Sequence, residues 1–179
     1  MILTKLEKKD FEQVFEIMVQ SFPSAEYRKK EKQFAILDEK DYTVTINKEH
    51  GVITSFIAAW NLGDFVFAEH LAVLPKMRNN GLGSIFMKEY LSTLSLPLVL
   101  EVEDKDDEIS KRRIGFYQRL GFILSDICYD QPNFDNSDVV IPLRIMYYDK
   151  NNTLNLGSVQ QQVFKNIYKK PTTEKTNEQ

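Results

Sequence analysis

The feature that most constrains the fold is an apolar strand followed at once by a glycine turn and a helix. Residues 65–74 alternate as a buried strand does, Pro75 ends that strand, and a helical pattern runs from Gly81 to about residue 94. Residues 98–102 then have the composition of another strand. A strand, a helix and a strand in this order form a crossover, so we expect the two strands to lie parallel in one sheet.

Period-two alternation predicts further strands on both sides of this unit. After a short opening strand, residues 42–47, 52–62 and 65–74 are joined by short turns and should form an antiparallel meander. Residues 122–129 and 139–148 are the last two strands, separated by a polar loop. We therefore expect an α/β (α+β) fold with a mixed, mostly antiparallel central sheet of about seven strands flanked by helices.

Apolar residues at three- and four-residue steps predict the helices. Asp10 is a candidate N-cap for an amphipathic helix that Pro23 ends, and the Lys- and Glu-rich residues 25–37 indicate a looser, partly exposed helix. The helix that begins at Gly81 should place Ile85, Phe86 and Tyr90 on its apolar side. A further helix is predicted at about residues 108–120.

The chain reads as one domain with a short C-terminal addition. Residues 1–150 form the domain, and residues 151–170 are a helical extension with apolar helical spacing between residues 156 and 168. Residues 171–179 have no apolar side chain and are expected to be a disordered tail. The last strands or the terminal helix could supply the contact of a homodimer.

Composition excludes several classes of protein. The net charge is −3, with Lys+Arg 23 against Asp+Glu 26, so no global positive field is available to bind nucleic acid. No segment has the length of a membrane span, and the N-terminus lacks the apolar core of a signal peptide. A single cysteine, Cys128, and two histidines argue against a disulfide and a zinc site, so we expect no metal, core packing for Cys128 and a cytoplasmic location.

The glycine turn is suited to bind an anion. Backbone amides at the start of a helix have no intrahelical partner, and the helix dipole adds positive potential there. A Walker loop would need a lysine after its last glycine, where Ser84 follows Gly83. A dinucleotide fingerprint would need a small residue at Phe86.

The pattern that remains is Arg-x-x-Gly-x-Gly, from Arg78 to Gly83, after a strand that ends in Val-x-Pro. It resembles the acetyl-CoA signature of the GNAT superfamily of N-acetyltransferases, and residues 113–122 resemble the second signature of that family. The resemblance covers most of residues 1–148. It implies a sheet splayed between the fourth and fifth strands, acetyl-CoA as co-substrate, an amine as acceptor and direct transfer in a ternary complex without a metal.

The same resemblance implies which residues contact the cofactor. The pyrophosphate should lie against the turn, while main-chain groups of the preceding strand should hold the pantetheine arm and the thioester carbonyl. The implied cofactor-binding residues are Leu71, Ala72, Val73, Arg78, Asn79, Asn80, Gly81, Leu82, Gly83 and Ser84.

Glu69 and Tyr117 are the candidate catalytic residues. A carboxylate on an apolar strand face is costly unless it is paired or used, and an alkylammonium must lose a proton before it attacks a thioester, so Glu69 is a candidate base. His70 competes for that role, and a β-bulge would turn either residue into the site. The resemblance places Tyr117 near the CoA sulfur as the acid, although it could also be a core aromatic residue.

Other polar and aromatic clusters have two interpretations each. Residues 111–113 (Lys-Arg-Arg) either touch CoA or form a solvated helix surface, and the acidic residues 101–108 either attract a cationic amine or form a solvated loop. Four aromatic residues either line an acceptor pocket or pack in the core: Trp60, Tyr27, Phe34 and Tyr129. Two rival functions stay open: a non-catalytic acyl-CoA sensor and a protein that binds ATP or NAD. The identity of the acceptor amine is also open, and it could be a polyamine, an aminoglycoside, an amino acid or a protein.

Overall fold

The computed structural model of this chain describes residues 1–104, 106–131 and 141–169. These residues contain one mixed sheet, in which all neighbouring strands pair antiparallel except β4 and β5. This confirms the predicted fold class. In the spatial order β1-β2-β3-β4-β5-β7-β6, the strands are β1 (Leu3–Lys5), β2 (Tyr42–Glu49), β3 (Val52–Asn61), β4 (Val66–Val73), β5 (Leu98–Glu103), β7 (Pro142–Tyr148) and β6 (Ile123–Asp130).

The sheet opens between β4 and β5. Their parallel pairing begins at Val66 with Leu98 and ends at Ala68 with Leu100, although β4 continues to Val73. Beyond Ala68 the two strands separate, which confirms the predicted splay. The opening exposes the main-chain edge of β4 to a ligand.

Helices cover both faces of the sheet. α3 and α4 pack on one face, where Phe86, Met87 and Tyr117 contribute to an apolar core with Leu100. The opposite face is covered by α1 at one end and by the C-terminal helix α5 at the other. The helices are α1 (Phe11–Val19), α2 (Lys30–Ala35), α3 (Leu82–Thr93), α4 (Glu108–Gln118) and α5 (Leu156–Val163), and a π-helical turn, Phe164–Tyr168, follows α5.

The prediction of one continuous helix at residues 25–37 is wrong. A short 3-10 turn, Ser24–Glu26, is followed by extended backbone at Tyr27 and Lys29, and α2 begins only at Lys30. The extended stretch allows the side chain of Arg28 to enter the interior, where it pairs with Glu69 at 2.8 Å.

Smaller predictions about single side chains also change. Ile85 is 51% exposed, because α3 turns Phe86 and Met87 toward the sheet instead. Cys128 is exposed rather than packed, since it lies on β6 at an edge of the sheet and alternates with the buried Tyr129. Asp10 precedes α1 as predicted, but its carboxylate accepts a hydrogen bond from Lys48 Nζ at 2.7 Å and does not cap the helix.

The C-terminal helix buries its apolar side within the chain itself. Val159, Val163, Phe164 and Ile167 are all at most 5% exposed and pack against β5 and β7 residues. The predicted tail at residues 171–179 and most of the predicted loop between the last two strands lie outside the described residues. Within the described part of the chain, no helix is both long enough and apolar enough to cross a membrane.

Candidate active site

A cavity of about 540 Å³ lies where β4 and β5 separate. Its walls come from β4, β5, the turn before α3, and α4, with further residues from the segment after α1 and from the C-terminal turn. The charged side chains that line it divide into two groups. The arginines are Arg78, Arg112, Arg113 and Arg119, and the glutamates are Glu26, Glu69, Glu101 and Glu103.

The glycine turn has the backbone shape of an anion site. Asn79 and Gly81 have positive φ angles of 67° and 75°, and α3 starts at Leu82. Alternation of left-handed and right-handed residues makes neighbouring N–H groups converge, and the N-terminus of α3 adds its dipole. A Cβ on Gly83 would lie 3.4 Å from Val73 Cγ2, so the glycine lets α3 pack closely on β4.

Two arginines surround this turn. Arg78 donates from Nε to Val73 O at 3.0 Å and from Nη2 to Ser21 Oγ at 2.6 Å. Arg112 of α4 donates to Asn79 Oδ1 at 3.0 Å and lines the cavity with Arg113. In contrast, Lys111 pairs with the exposed Asp106 at 2.6 Å, so the basic cluster of α4 is only partly a solvated surface.

The main chain of β4 supplies polar groups at the opening. Leu74 N donates to Thr54 O of the neighbouring β3 segment, at 2.8 Å. Because peptide groups alternate along an antiparallel strand, those of Ala72 also face β3, while those of Leu71 and Val73 face the opening toward β5. Leu71 and Val73 therefore offer main-chain donors and acceptors to a bound molecule.

A β-bulge in β4 places Glu69 and His70 together. The register with β3 shifts at this point, so that Ala58 pairs with His70 and Ala59 with Ala68, and Glu69 has no paired residue. Consecutive side chains of a regular strand point to opposite faces. Here Glu69 Oε2 and His70 Nδ1 are 3.7 Å apart, because the bulge turns both toward the α1 face.

Glu69 is a buried, ion-paired carboxylate. Its side chain is 5% exposed, and its Oε1 lies 2.8 Å from Nη2 of Arg28, which is 12% exposed. Burial opposes ionisation, but the positive charge of Arg28 outweighs it and lowers the pKa of the Glu69 carboxyl below its usual value. Glu69 is thus ionised at neutral pH.

His70 is a neutral, buried side chain. Its Nε2 lies 2.9 Å from Glu26 O, and because a carbonyl can only accept, we assign the proton to Nε2. The ring also packs edge-on against Phe22, with centroids 4.9 Å apart. Burial lowers the pKa of His70, so this residue connects β4 to the segment after α1 as a neutral donor.

Glu101 is a second carboxylate in the cavity, and sequence reasoning placed it only within an acidic string. It lies on β5, where Oε1 accepts a short hydrogen bond from the Tyr129 hydroxyl and Oε2 accepts one from the Tyr168 hydroxyl at 2.7 Å. Burial raises the pKa of Glu101 to about 7, although both hydrogen bonds oppose the shift. A carboxyl group with this pKa exchanges protons near neutral pH.

Several of the remaining acidic residues of the string have structural partners. Glu103 lies 3.5 Å from Arg113, and Asp107 caps α4 by accepting from Ser110 N at 2.7 Å. Lys105, within the same string, is outside the described residues. Of the acidic residues described in this string, Glu101 and Glu103 line the cavity, and the solvated interpretation fits Asp106, which is exposed.

Tyr117 lines the cavity from α4 and is 8% exposed. Its ring contacts Phe116 and Phe122, with centroids 5.1 Å and 5.3 Å away. Burial raises the pKa of Tyr117 to about 12, so its hydroxyl keeps its proton at neutral pH. Tyr117 therefore packs in the core and also lines the cavity, and its role as the acid stays a prediction.

Sequence reasoning missed Arg28 and Tyr168, which both line or support the site. Arg28 belongs to the run Arg28-Lys29-Lys30, and its two neighbours are ordinary solvated cations, so residue type gave no signal. Tyr168 lies 67 residues from Glu101 along the chain. It follows Phe164 by four residues, a spacing that places both side chains on one face of a helix. This spacing predicts packing but does not single out a residue of the site.

This arrangement agrees with the comparison to known families. The chain belongs to the Acetyltransferase (GNAT) family, which matches residues 11–122. Among its relatives, "Putative acetyltransferase YjbC" of Bacillus subtilis (strain 168) is 30% identical over 112 residues, which cover 60% of this chain. The match spans 55% of that relative's own length.

Solved structures show the same fold. The protein described as "Putative acetyltransferase from GNAT family from Bacteroides thetaiotaomicron" superposes with a TM-score of 0.84 at 29% identity, covering 94% of this chain and 98% of that chain. An aminoglycoside 6'-N-acetyltransferase complexed with coenzyme A superposes with a TM-score of 0.60 at 14% identity, covering 83% and 96% of the two chains. At that identity the second likeness shows the fold alone.

Metal ligands do not cluster in the described ranges. No group of three or more His, Cys, Asp or Glu side chains is placed there to hold a metal ion. The polar residues that line the cavity include arginines, glutamates and tyrosines, together with His70, Asn79, Gln131 and two serines.

The raised pKa of Glu101 predicts a stability effect. Folding lifts this pKa from 4.5 to about 7, so ionisation of Glu101 costs the folded state free energy as pH rises through that window. We expect Glu101→Gln to increase the free energy of unfolding relative to the native protein, by up to about 3 kcal/mol above pH 7 and by little at pH 4. Urea unfolding at pH 4 and at a pH above 7 measures these free energies. Glu89→Gln, at an exposed site on α3, is the control and should change the free energy of unfolding equally little at both pH values.

Proposed function

We propose that this protein is an acetyl-CoA-dependent N-acetyltransferase that acetylates a primary amine of a small molecule or peptide. Family membership supports acyl transfer. The observation that carries the finer proposal is the pairing, in one cavity, of an anion-binding turn with a carboxyl group whose pKa is about 7. The turn fits the pyrophosphate of CoA, and the carboxyl group fits removal of a proton from an amine.

The donor binds along the α3 and α4 side of the opening. The amides of residues 79–83, the hydroxyl and amide of Ser84, and Arg78 would hold the pyrophosphate, while Leu71 and Val73 would hold the pantetheine arm by main-chain hydrogen bonds. Ser84 N already donates to Gly81 O at 3.0 Å, so a bound phosphate would share this amide hydrogen with Gly81 O. This places the thioester at the gap between β4 and β5, with a β4 amide available to polarise its carbonyl.

The acceptor approaches from the opposite face of the sheet. That face carries Glu26, Glu69 and Glu101, and negative potential there attracts an alkylammonium. Within the reaction, the alkylammonium loses one proton to a carboxylate, and the neutral amine attacks the thioester carbonyl. The C–N bond forms as the C–S bond breaks, and the second proton of the nitrogen reaches the leaving sulfur by way of Tyr117, so that CoA leaves as the thiol. No covalent acyl-enzyme is needed, because both substrates occupy one cavity.

Glu101 is the better candidate for the base, and Glu69 remains the alternative predicted from sequence. The ion pair with Arg28 stabilises the ionised form of Glu69 and so weakens it as a proton acceptor. Glu101 instead accepts hydrogen bonds from two neutral tyrosine hydroxyls, and its pKa of about 7 matches neutral operating conditions. Glu69 would then hold Arg28 and the segment after α1 in place.

Tyr117 is proposed as the acid for the leaving sulfur. With a pKa of about 12 its hydroxyl is protonated, so it can donate a hydrogen bond to the developing thiolate. We expect Tyr117→Phe to lower kcat by about 10²-fold and leave the KM for acetyl-CoA nearly unchanged. Tyr90→Phe is the matched control, because Tyr90 is a buried tyrosine of α3 whose pKa is also about 12 but which is not among the cavity residues.

Release of CoA thiol measured over a panel of amines tests the proposal. The panel should contain a polyamine, an aminoglycoside, free amino acids, and peptides with a free N-terminus or lysine. We expect acetyl-CoA turnover that depends on one class of acceptor, with the acetylated product confirmed by mass spectrometry. Binding of acetyl-CoA without turnover on any amine would support the non-catalytic sensor instead. Light scattering of the same sample tests the predicted homodimer.

A further inference from the structure

Tyr168 connects the C-terminal helical segment to the candidate active site. It ends the π-helical turn Phe164–Tyr168 and lines the cavity between β4 and β5. Its hydroxyl lies 2.7 Å from Glu101 Oε2, across 67 residues of sequence. π-Helical turns frequently occur at functional sites. A residue outside the 11–122 span matched by the family therefore contacts the proposed base directly.

Glu101 accepts a hydrogen bond on each of its carboxylate oxygens. Tyr129 donates to Oε1 from β6, and Tyr168 donates to Oε2 from the C-terminal turn. Burial raises the pKa of both phenols well above their ordinary value, so both stay protonated and act as donors. Two donors from two different elements fix the plane of the carboxylate.

Packing fixes the two tyrosines relative to each other. The ring of Phe164 meets Tyr129 edge-on with centroids 5.1 Å apart, and it meets Tyr168 with centroids 5.8 Å apart. Phe164 is 5% exposed within the core formed by α5 and the sheet. The side chain of Gln131 also hydrogen-bonds with the Tyr168 hydroxyl. The position of this hydroxyl is thus set by the fold and not by solvent.

The other titratable groups that act on Glu101 are carboxylates. Glu69 of β4 and Glu26 of the 3-10 turn Ser24–Glu26 both disfavour a further negative charge, whereas the hydroxyls of Tyr129 and Tyr168 favour it. Loss of either hydroxyl should therefore leave the carboxylate less stable in its ionised form. The two hydroxyls therefore offset part of the rise in the Glu101 pKa that burial causes.

We propose that Tyr168 is a positioning residue that holds the Glu101 carboxylate toward the acceptor amine, which makes the C-terminal segment part of the active site. This inference rests on the proposed function, in which Glu101 takes the proton of the amine. Tyr168 itself transfers no atom or proton to the substrate. Its role is to keep Glu101 oriented and ionised at the pH at which the amine binds.

The test is the titration of Glu101 in Tyr168→Phe, which removes only the hydroxyl. Carbon-13 NMR of carboxyl-labelled glutamate, with the Glu101 signal assigned by its loss in Glu101→Gln, gives the titration midpoint without any turnover. We expect an upward shift of about one pH unit, because a hydrogen bond to a charged group is worth about that much. The acid limb of kcat/KM for the amine should move by the same amount.

Tyr148→Phe on β7 is the matched control, since Tyr148 packs against Phe122 and is not among the cavity residues that surround Glu101. It should shift neither the midpoint nor the pH profile. If Tyr168→Phe does not fold, Tyr129→Phe must raise the midpoint in the same direction, because Tyr129 binds the other oxygen. Equal midpoints in Tyr168→Phe and the native protein, together with normal turnover, would overturn the positioning role. A raised midpoint without acetylation of any amine would uphold the contact and contradict the proposed function.

Discussion

Replacement of Glu101 by glutamine is expected to lower kcat by about 10²- to 10⁴-fold, the range that general acid–base catalysis contributes. Glutamine keeps the size of the side chain, and its Oε1 can still accept from one tyrosine hydroxyl while its Nε2 donates to the other, but it cannot take a proton. In the native protein kcat/KM should rise with pH and level off above about 7, the pKa of Glu101. This rise of kcat/KM with pH should be absent from Glu101→Gln. Steady-state kinetics between pH 5.5 and 9 with the best acceptor measure both effects.

Glu69→Gln is the comparison that separates the two carboxylates. It removes the charge beside Arg28, so some stability should be lost, but the acid limb near pH 7 should remain. The KM for acetyl-CoA should stay close to native in both variants, since neither side chain belongs to the pyrophosphate turn. If Glu69→Gln abolishes turnover in a folded protein while Glu101→Gln retains it, the base is Glu69.

Replacement of Arg28 by methionine is expected to lower the free energy of unfolding by about 3–5 kcal/mol. The guanidinium is 12% exposed and lies 2.8 Å from a carboxylate that is 5% exposed, so the variant leaves a buried charge without its partner. This loss of unfolding free energy should be smaller at acid pH. The lowered pKa of Glu69 means that its contribution is present above the unfolded-state value and disappears as pH falls through the folded-state value. Urea unfolding at pH 7 and pH 3 measures this.

Lys111→Met provides the matched control for a lost ion pair. Lys111 and its partner Asp106 are 56% and 92% exposed, and exposed pairs contribute less than about 1 kcal/mol. The double variant Arg28→Met with Glu69→Leu should recover part of the loss, because no buried charge is then left without a partner. A cost for Arg28→Met no greater than that for Lys111→Met would show that the pair is unimportant for the fold.

Local patterns were sufficient to predict the architecture. The order of strands and helices follows from spacing within short windows, and Gly81 has the positive φ expected of a glycine at a tight turn before a helix. The splay between β4 and β5 came from the family resemblance, and the pairing of only Val66–Ala68 with Leu98–Leu100 confirms it. Within the described residues, the arrangement near Arg28 and the π-helical turn Phe164–Tyr168 depart from the predicted helices in a way that concerns the site.

The chemistry of the carboxylates could not be read from the sequence. A bulge has no residue-type signature, so it was not predictable that Glu69 and His70 would face the same way. Glu101 begins a string of acidic residues that are mostly exposed, and its neighbours gave no sign that two tyrosine hydroxyls would bind it. The covering side chain, Tyr168, comes from a helical segment far along the chain. Long-range packing therefore decides which carboxylate the tyrosines cover.

Thermal unfolding with added ligand tests most directly whether the arginine and glycine turn binds acetyl-CoA. A ligand present at about 100 times its Kd and bound only to the folded state stabilises it by about 2.7 kcal/mol, which raises the Tm of a protein of this size by roughly 5–10 °C. We predict such a rise with acetyl-CoA and a much smaller one in Arg78→Ala. A rise with ATP or NAD and none with acetyl-CoA would contradict the account.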